Sequence, residues 1–225
     1  MPKLLHPLTD LKARIVAASA HTHQKVELLA ISKMQSTDRI QAIAQLGQAH
    51  FGENYIQEAL PKMKSLGHLG LIWHMIGPLQ SNKCHLAAQH FDWIESIDRS
   101  KIVALLAKNR PSGLAPLNVL VQVNVDQESS KSGCQADMLE PLCALIAEHK
   151  ELKLRGLMGI PTPYKDPEQR RPSFRKLRTL FDNLKAHYPF IDTLSMGMSD
   201  DFEIAIQEGA TQVRIGTALF GPRPL

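Results

Sequence analysis

The feature that constrains this chain most is an alternation: short apolar runs with the character of buried strands are separated, eight times over, by segments with helical spacing. The runs are read at 27–33, 48–52, 71–76, 92–96, 117–124, 154–160, 192–197 and 212–216, and each leads into a helical pattern or, at the last, a short terminal turn. Strands joined by helical crossovers lie parallel in one sheet whose two faces are both covered. Eight such units in 225 residues predict a single (β/α)8 TIM-type barrel, a fold that takes about 200 to 250 residues. The competing architecture is an open doubly wound sheet. It would use fewer strands and carry a glycine-rich fingerprint after the first, where this chain has Ser32-Lys33-Met34-Gln35. No linker, internal repeat or low-complexity stretch divides the sequence, so residues 1–225 are read as one domain.

Several helix ends are legible. Thr37-Asp38 is expected to cap a helix bearing Ile40, Ile43 and Ala44 that stops at Gly47, and Asp98 to cap one bearing Ile102, Leu105 and Leu106. An extra helix near 8–20, capped by Thr9 or Asp10 with Leu11, Ile15 and Ala18 on one face, precedes the first strand and is expected to cover the barrel's bottom. Pro61 and Pro141 fall within helical patterns, so those helices either kink or begin late.

Composition removes several function classes. Hydrophobic residues make up 44% and charged residues 21%, enough apolar material for a sizeable core in a soluble globular protein. No apolar run approaches a membrane span and the first residues lack a signal-peptide core, so a cytoplasmic address without a membrane partner is expected. Cys84, Cys134 and Cys143 show no metal or disulfide spacing and read as reduced packing residues. The ten histidines, His21 and His23 among them, form no metal signature. The basic excess sits mainly in 170–178, where Phe174, Leu177 and Phe181 supply a buried helical stripe. A solvated basic face explains that charge more simply than a nucleic-acid partner.

Lys33 closes the apolar run that begins at Val26, and alternation puts it on one face with Leu29 and Ile31. Desolvation lowers a lysine's pKa, and a neutral amine condenses with carbonyls to give Schiff bases. The alternative is a strand-end lysine that extends its head to water. Barrel enzymes commonly hold phosphate with the loops after strands seven and eight, and here those loops offer the hydroxyl of Ser199, the close approach allowed by Gly216, and the hydroxyl and amide of Thr217. Two ordinary helix caps would use the same residues. Arg214 shares a face with Gln212 and Gly216 and so points to the same cavity, toward a heterocyclic nitrogen, a second anion or a neighbouring carboxylate. An amine and a phosphate cup on one rim suit an aldehyde-bearing phosphate cofactor, and a phosphosugar aldolase would use them too. Of the turns after strands two and three, Asn54 is the expected contact, while His74 reads as a hydrogen-bonded interior histidine. Lys131-Ser132-Gly133 has the look of a phosphate-loop tail but lacks its upstream glycine.

Ala30-Ile31-Ser32-Lys33, Phe51-Gly52-Glu53-Asn54-Tyr55, Trp73-His74 through Lys83, Lys131-Ser132-Gly133, Arg155-Gly156-Leu157-Met158, Ser195 through Asp201, and Val213 through Thr217 with Phe220-Gly221 together resemble the pyridoxal phosphate homeostasis protein family. The resemblance spans nearly the whole chain. It implies a fold type III barrel like the N-terminal domain of alanine racemase, with pyridoxal 5'-phosphate (PLP) held on Lys33. Ser199, Gly216 and Thr217 would hold the phosphate, and Arg214 would face the pyridine nitrogen. It also implies a role in vitamin B6 and amino-acid homeostasis without an established catalytic reaction; PLP-dependent apoenzymes are the expected recipients and a monomer the expected form. One departure stands out: the family often reads Ser-Lys-Thr-Lys-Pro where this chain has Ser32-Lys33-Met34-Gln35-Ser36. A relay through that second amine would need Lys131 or Lys83 in its place.

The main rival to a carrier is a PLP-dependent amino-acid racemase. Racemisation needs an acid/base on each side of the α-carbon, a lone barrel leaves one face open to water, and arginine at the pyridine nitrogen weakens the ring as an electron sink.

Overall fold

In a computed structural model the chain forms a closed barrel of eight parallel strands in sequential order, with helices between them. The structure describes residues 2–20, 22, 24–128 and 131–221, with side chains from residue 7 onward; His21 and His23 lie outside the described residues. The elements run α1 (Pro2–Ser19), β1 (Glu27–Ile31), α2 (Thr37–Gln45), β2 (His50–Glu53), α3 (Ile56–Ser65), β3 (Ile72–Met75), α4 (Cys84–His90) and β4 (Trp93–Ile97). Then follow α5 (Ser100–Asn109), β5 (Leu117–Val123), α6 (Leu139–Ala147), β6 (Leu152–Gly159), α7 (Arg171–His187), β7 (Thr193–Ser195), α8 (Phe202–Gln207), β8 (Gln212–Ile215) and α9 (Thr217–Phe220). The barrel closes where β1 pairs with β8, Leu29 opposite Arg214 and Ala30 opposite Ile215.

Each of the eight expected strands is present, but several end early. β1 stops at Ile31 because Ser32 makes its last sheet bond to the Gly52 carbonyl, 3.0 Å, and its own carbonyl then accepts the Gln35 amide, 3.0 Å, closing a turn. Lys33 therefore sits in the turn beyond the strand. Some helix starts also differ. α1 begins at Pro2, so Thr9 and Asp10 lie inside it, and it packs in the helical ring against α8, α9 and α2 instead of across the bottom. Arg99, not Asp98, occupies the cap position of α5, and Ser36 precedes α2. Pro141 lies in the first turn of α6, where its missing N–H is not needed, whereas α3 runs on through Pro61.

Alternation along each strand makes two interiors. The outward-facing residues, such as Leu28, Ala30, Phe51, Val121, Leu157, Leu194, Val213 and Ile215, join the apolar stripes of the helices in one large core. Inside the barrel the apolar filling is smaller, built on Trp93, Leu120 and Met158 with Ile72 and Ile160. Leu29 and Ile31 add apolar contacts on the β1 side, and much of the remaining interior is polar. His50 Nδ1 lies 2.9 Å from His74 Nε2, and His74 Nδ1 lies 2.7 Å from Glu95 Oε1. Glu95 also accepts from Gln212 at 2.6 Å and from the Ser195 hydroxyl at 2.8 Å, and Ser195 in turn accepts from Arg214 at 2.9 Å. This row of side chains runs from the amino-terminal mouth of the barrel to the carboxyl-terminal one.

The α7 segment is a solvated face for Arg171, Arg175 and Arg178, which pair with Glu168, Glu208 and Asp182. Arg170 is different: it is buried against Asp201 at 2.6 Å. The three cysteines are free and buried, and burial pushes the Cys143 thiol up to about 12. Among the described residues no helix is long and apolar enough to cross a membrane, and no cluster of three or more His, Cys, Asp or Glu is placed to hold a metal ion.

Candidate functional site

A cavity of about 250 Å³ opens at the carboxyl ends of the strands, and Lys33, Asn54, Ser199, Arg214, Gly216 and Thr217 all line it. These six residues come from the ends of β1, β2, β7 and β8, so the barrel's closure is what gathers them. Ile31, Ile76 and Ile160 supply apolar walls and Gln35 another polar group.

The Lys33 wall is built around a tight turn. The Ser32 carbonyl bonded to the Gln35 amide, with Met34 at φ +61°, is the type II pattern, which ordinarily asks for glycine at its third residue. A left-handed residue with a side chain costs about 1 to 2 kcal/mol, so surrounding bonds must hold it. They do: the Met34 amide donates to the Glu58 carboxylate, and Lys62 Nζ donates to the Ser32 carbonyl at 2.8 Å. Lys62 also bridges Glu53 at 2.8 Å and Glu58 at 2.6 Å.

The Asn54 wall depends on a close approach. Gly77, just beyond β3, lies so near the Asn54 backbone that any side chain there would collide with its carbonyl. Asn54 Oδ1 and Gln35 Oε1 are buried acceptors without a protein partner. Unsatisfied buried acceptors carry a free-energy cost of about 1 to 3 kcal/mol each, so this pair marks where a ligand's donors would be favoured.

On the opposite side, the Ser199 loop is fixed by Asp201, whose carboxylate accepts the Met198 amide at 2.6 Å and is itself held by buried Arg170. Ser199 Oγ accepts the Ala218 amide at 3.2 Å, tying the loops after β7 and β8 together. Neither Ser199 nor Asp200 caps α8, since Asp201 takes that position. A side chain at Gly216 would make only ordinary contact with Ile31 while intruding on the cavity, so the glycine keeps the cavity open.

Arg214 is buried and donates to Ser195 Oγ and to the Gly159 carbonyl, both at 2.9 Å. Burial pulls its guanidinium below the ordinary value, and the charges of Glu95 and Asp201 resist that pull. Burial alone would raise the Glu95 carboxyl, but the His74 hydrogen bond and charge, Arg214 and the Gln212 amide hold it below the usual range. Glu95 therefore stays an anion in the barrel interior and serves Arg214 as counter-charge through Ser195. Arg214 thus lines the cavity, and the carboxylate it reaches through one hydroxyl, Glu95, lies across the barrel on β4 and not on a neighbouring strand as expected.

His74 is an interior, hydrogen-bonded histidine as expected, but its acid, Glu95, lies on the next strand and not nearby in sequence. Lys131 pairs with Glu128 at 2.6 Å, and neither Lys131 nor Lys83 lines the cavity. Glu95, Asp201, Gln35, Glu58 and Lys62 escaped the sequence reading. Only Glu95 offered a signal, a carboxylate in the middle of an apolar strand.

A family model described as the alanine racemase N-terminal domain matches residues 7–224. The chain is 47% identical over 229 residues to the pyridoxal phosphate homeostasis protein of Escherichia coli, covering 99% of this chain and 98% of that protein. It is similar to the solved structure of PipY from Synechococcus elongatus with PLP bound, at 32% identity and a TM-score of 0.85, over 97% of this chain and all of that one. Alanine racemase from Corynebacterium glutamicum, at 14% identity and a TM-score of 0.69 over 98% of this chain and 62% of that one, shares the fold.

Proposed function

Starting from the fact that the chain belongs to the pyridoxal phosphate homeostasis protein family, we propose that it binds PLP in this cavity and serves vitamin B6 homeostasis by storing and delivering the cofactor. The observation that carries the reading is the convergence of Lys33, Asn54, Ser199, Arg214, Gly216 and Thr217 on one cavity. The donor set suits the group: an amine for an aldehyde, hydroxyls and turn amides for a phosphate, a guanidinium for a ring nitrogen, and two unpartnered acceptors for a ring hydroxyl. When bound, PLP supplies an aldehyde carbon that forms a C=N bond to an amine with loss of water.

In this reading Lys33 contributes that amine. Ser199, Gly216 and Thr217 would hold the phosphate, and Arg214 would donate a hydrogen bond to the pyridine nitrogen and so keep a proton off it. The Arg170–Asp201 pair and the Glu95–Ser195 row hold those donors in place. A racemase would need a second proton-transfer group across from Lys33. The other titratable residues on the cavity wall are Arg214, engaged with Ser195 and Gly159, and Asp200, which is exposed beside the phosphate donors. That arrangement favours a carrier over a catalyst. PLP-dependent apoenzymes are the proposed recipients, an effect on amino-acid pools follows indirectly, and a cytoplasmic monomer is the proposed form.

Borohydride reduction of the PLP-loaded protein followed by peptide mapping tests the central claim. The pyridoxyl group is expected on Lys33. Its recovery on Lys62, Lys83 or Lys131 with Lys33 unmodified would remove the reading. Rapid deuterium exchange at the α-carbon of amino acids, abolished by Lys33→Ala, would establish the racemase alternative instead.

A further inference from the structure

We infer that Lys62, together with Glu58, is a positioning residue for Lys33: it fixes both peptide groups that flank Lys33 and so aims its amine into the cavity. The inference rests on the reading of Lys33 as the cofactor amine. Lys62 does not line the cavity; it sits behind the turn and is 7% exposed. Its ammonium donates to the Ser32 carbonyl at 2.8 Å, the oxygen of the peptide preceding Lys33. It also donates to Glu58 Oε1 at 2.6 Å, the atom that accepts the Met34 amide of the peptide following Lys33. One cation thus links both peptides, and the third contact, Glu53 Oε1 at 2.8 Å, is shared with the Ser32 hydroxyl at 2.6 Å.

This cluster is more than a buried ion pair placed by chance. Met34 is held at φ +61°, a conformation a methionine does not adopt freely, and the residue is 52% exposed, so it gains little from packing there. What holds the turn is the Lys62–Glu58–Glu53 cluster and the Gln35 amide. The neighbouring carboxylates need a cation between them, and Glu53 is fully buried. With the cation gone, Glu53 and Glu58 would repel and the Ser32 carbonyl would lose a donor, so the turn would relax toward an ordinary conformation. Lys33 lies at the turn's second residue, where relaxation swings its side chain most. Ser199, Gly216 and Thr217 belong to the segments that follow β7 and β8 and would keep their places.

The consequence is selective. PLP and pyridoxine 5'-phosphate share ring and phosphate, but the second has an alcohol where the first has the aldehyde, so only PLP depends on the aim of Lys33. Binding of both ligands to wild type, Lys62→Met, Glu58→Ala and Glu58→Gln is measured by titration, with melting temperature recorded alongside. Lys62→Met and Glu58→Ala are expected to weaken PLP about tenfold or more, as misplacement of a reacting group does, while pyridoxine 5'-phosphate binds as to wild type. Glu58→Gln, whose amide oxygen still accepts the Met34 N–H, is expected to restore most of the loss seen in Glu58→Ala. If Lys62→Met does not fold, the half-buried Glu58 variants decide alone. Equal weakening of both ligands, or unchanged PLP binding, would overturn the inference. Wild-type protein that yields no reduced adduct on Lys33 would instead overturn the functional reading on which it rests.

Discussion

At the scale of single residues, the site separates into groups that would touch a ligand and groups that hold them. Ser199 and Thr217 belong to the first kind, and they do different work from Lys33. Replacing both with alanine is expected to weaken PLP about a hundredfold or more, since hydrogen bonds to a charged group contribute about 1.5 to 3 kcal/mol each. Unphosphorylated pyridoxal should bind the double variant nearly as it binds the parent. Equal losses for the two ligands, measured by titration, would remove phosphate recognition as their role. Several lining residues stood out in the sequence because a polar or small residue follows an apolar run abruptly, as Lys33, Asn54 and Gly216 do. The holding residues were not. Lys62 reads as one more lysine on an amphipathic helix, and Arg170 as one more cation in a basic run. Their burial depends on which element packs beside them, and no local pattern carries that information.

At the scale of elements, the eight strands were read correctly because parallel strands buried on both faces are continuous apolar runs, distinct from the helical spacing between them. Their ends were read less well, since a strand stops where its last partner bond is made, as Ser32 does on Gly52. The β5–β6 pairing shows another irregularity hidden from the sequence. The register shifts between Val119 and Leu120, and Gly156 opposite Leu120 has φ +144° with its α-carbon against the Thr193 carbonyl. A side chain at 156 would collide with that backbone oxygen in a conformation only glycine adopts readily. Gly156→Ala is therefore expected to destabilise the protein by about 2 to 4 kcal/mol, seen as a lower urea midpoint at unchanged slope. A loss of less than about 0.5 kcal/mol, the range of neutral surface changes, would show that β6 re-registers without strain.

At the scale of the whole molecule, the barrel has an axis of buried charge, and that axis makes stability depend on pH. Burial lowers the His50 imidazole to about 4, helped by the charges of His74 and Lys25 and opposed by Glu95. Glu27, Arg155 and Gln212 share its amino-terminal mouth. Between that value and about 6.5, the ordinary value for histidine, the unfolded chain binds a proton that the native protein does not, so stability falls as pH falls through this window. The depressed carboxyl of Glu95 adds to the loss at lower pH, while Glu53, raised by burial, acts in the opposite sense. Urea unfolding at pH 7.5 and 4.5 should show the loss, with His50 responsible for about 1 kcal/mol once solvent screening of a half-buried ring is allowed for. His50→Gln should flatten the slope between those values, and an unchanged slope would place its origin elsewhere.

The closure of the barrel has one more consequence. Lys33 follows β1 and Arg214 lies on β8, yet Leu29 and Arg214 face each other across the seam. A ribosome releasing this chain exposes the amine long before the guanidinium and the Gly216–Thr217 turn that complete the cavity. On the proposed reading, an incomplete nascent polypeptide carries the lysine but neither the burial nor the enclosure that would suit it to an aldehyde, and cofactor capture would wait until translation has passed the last strand.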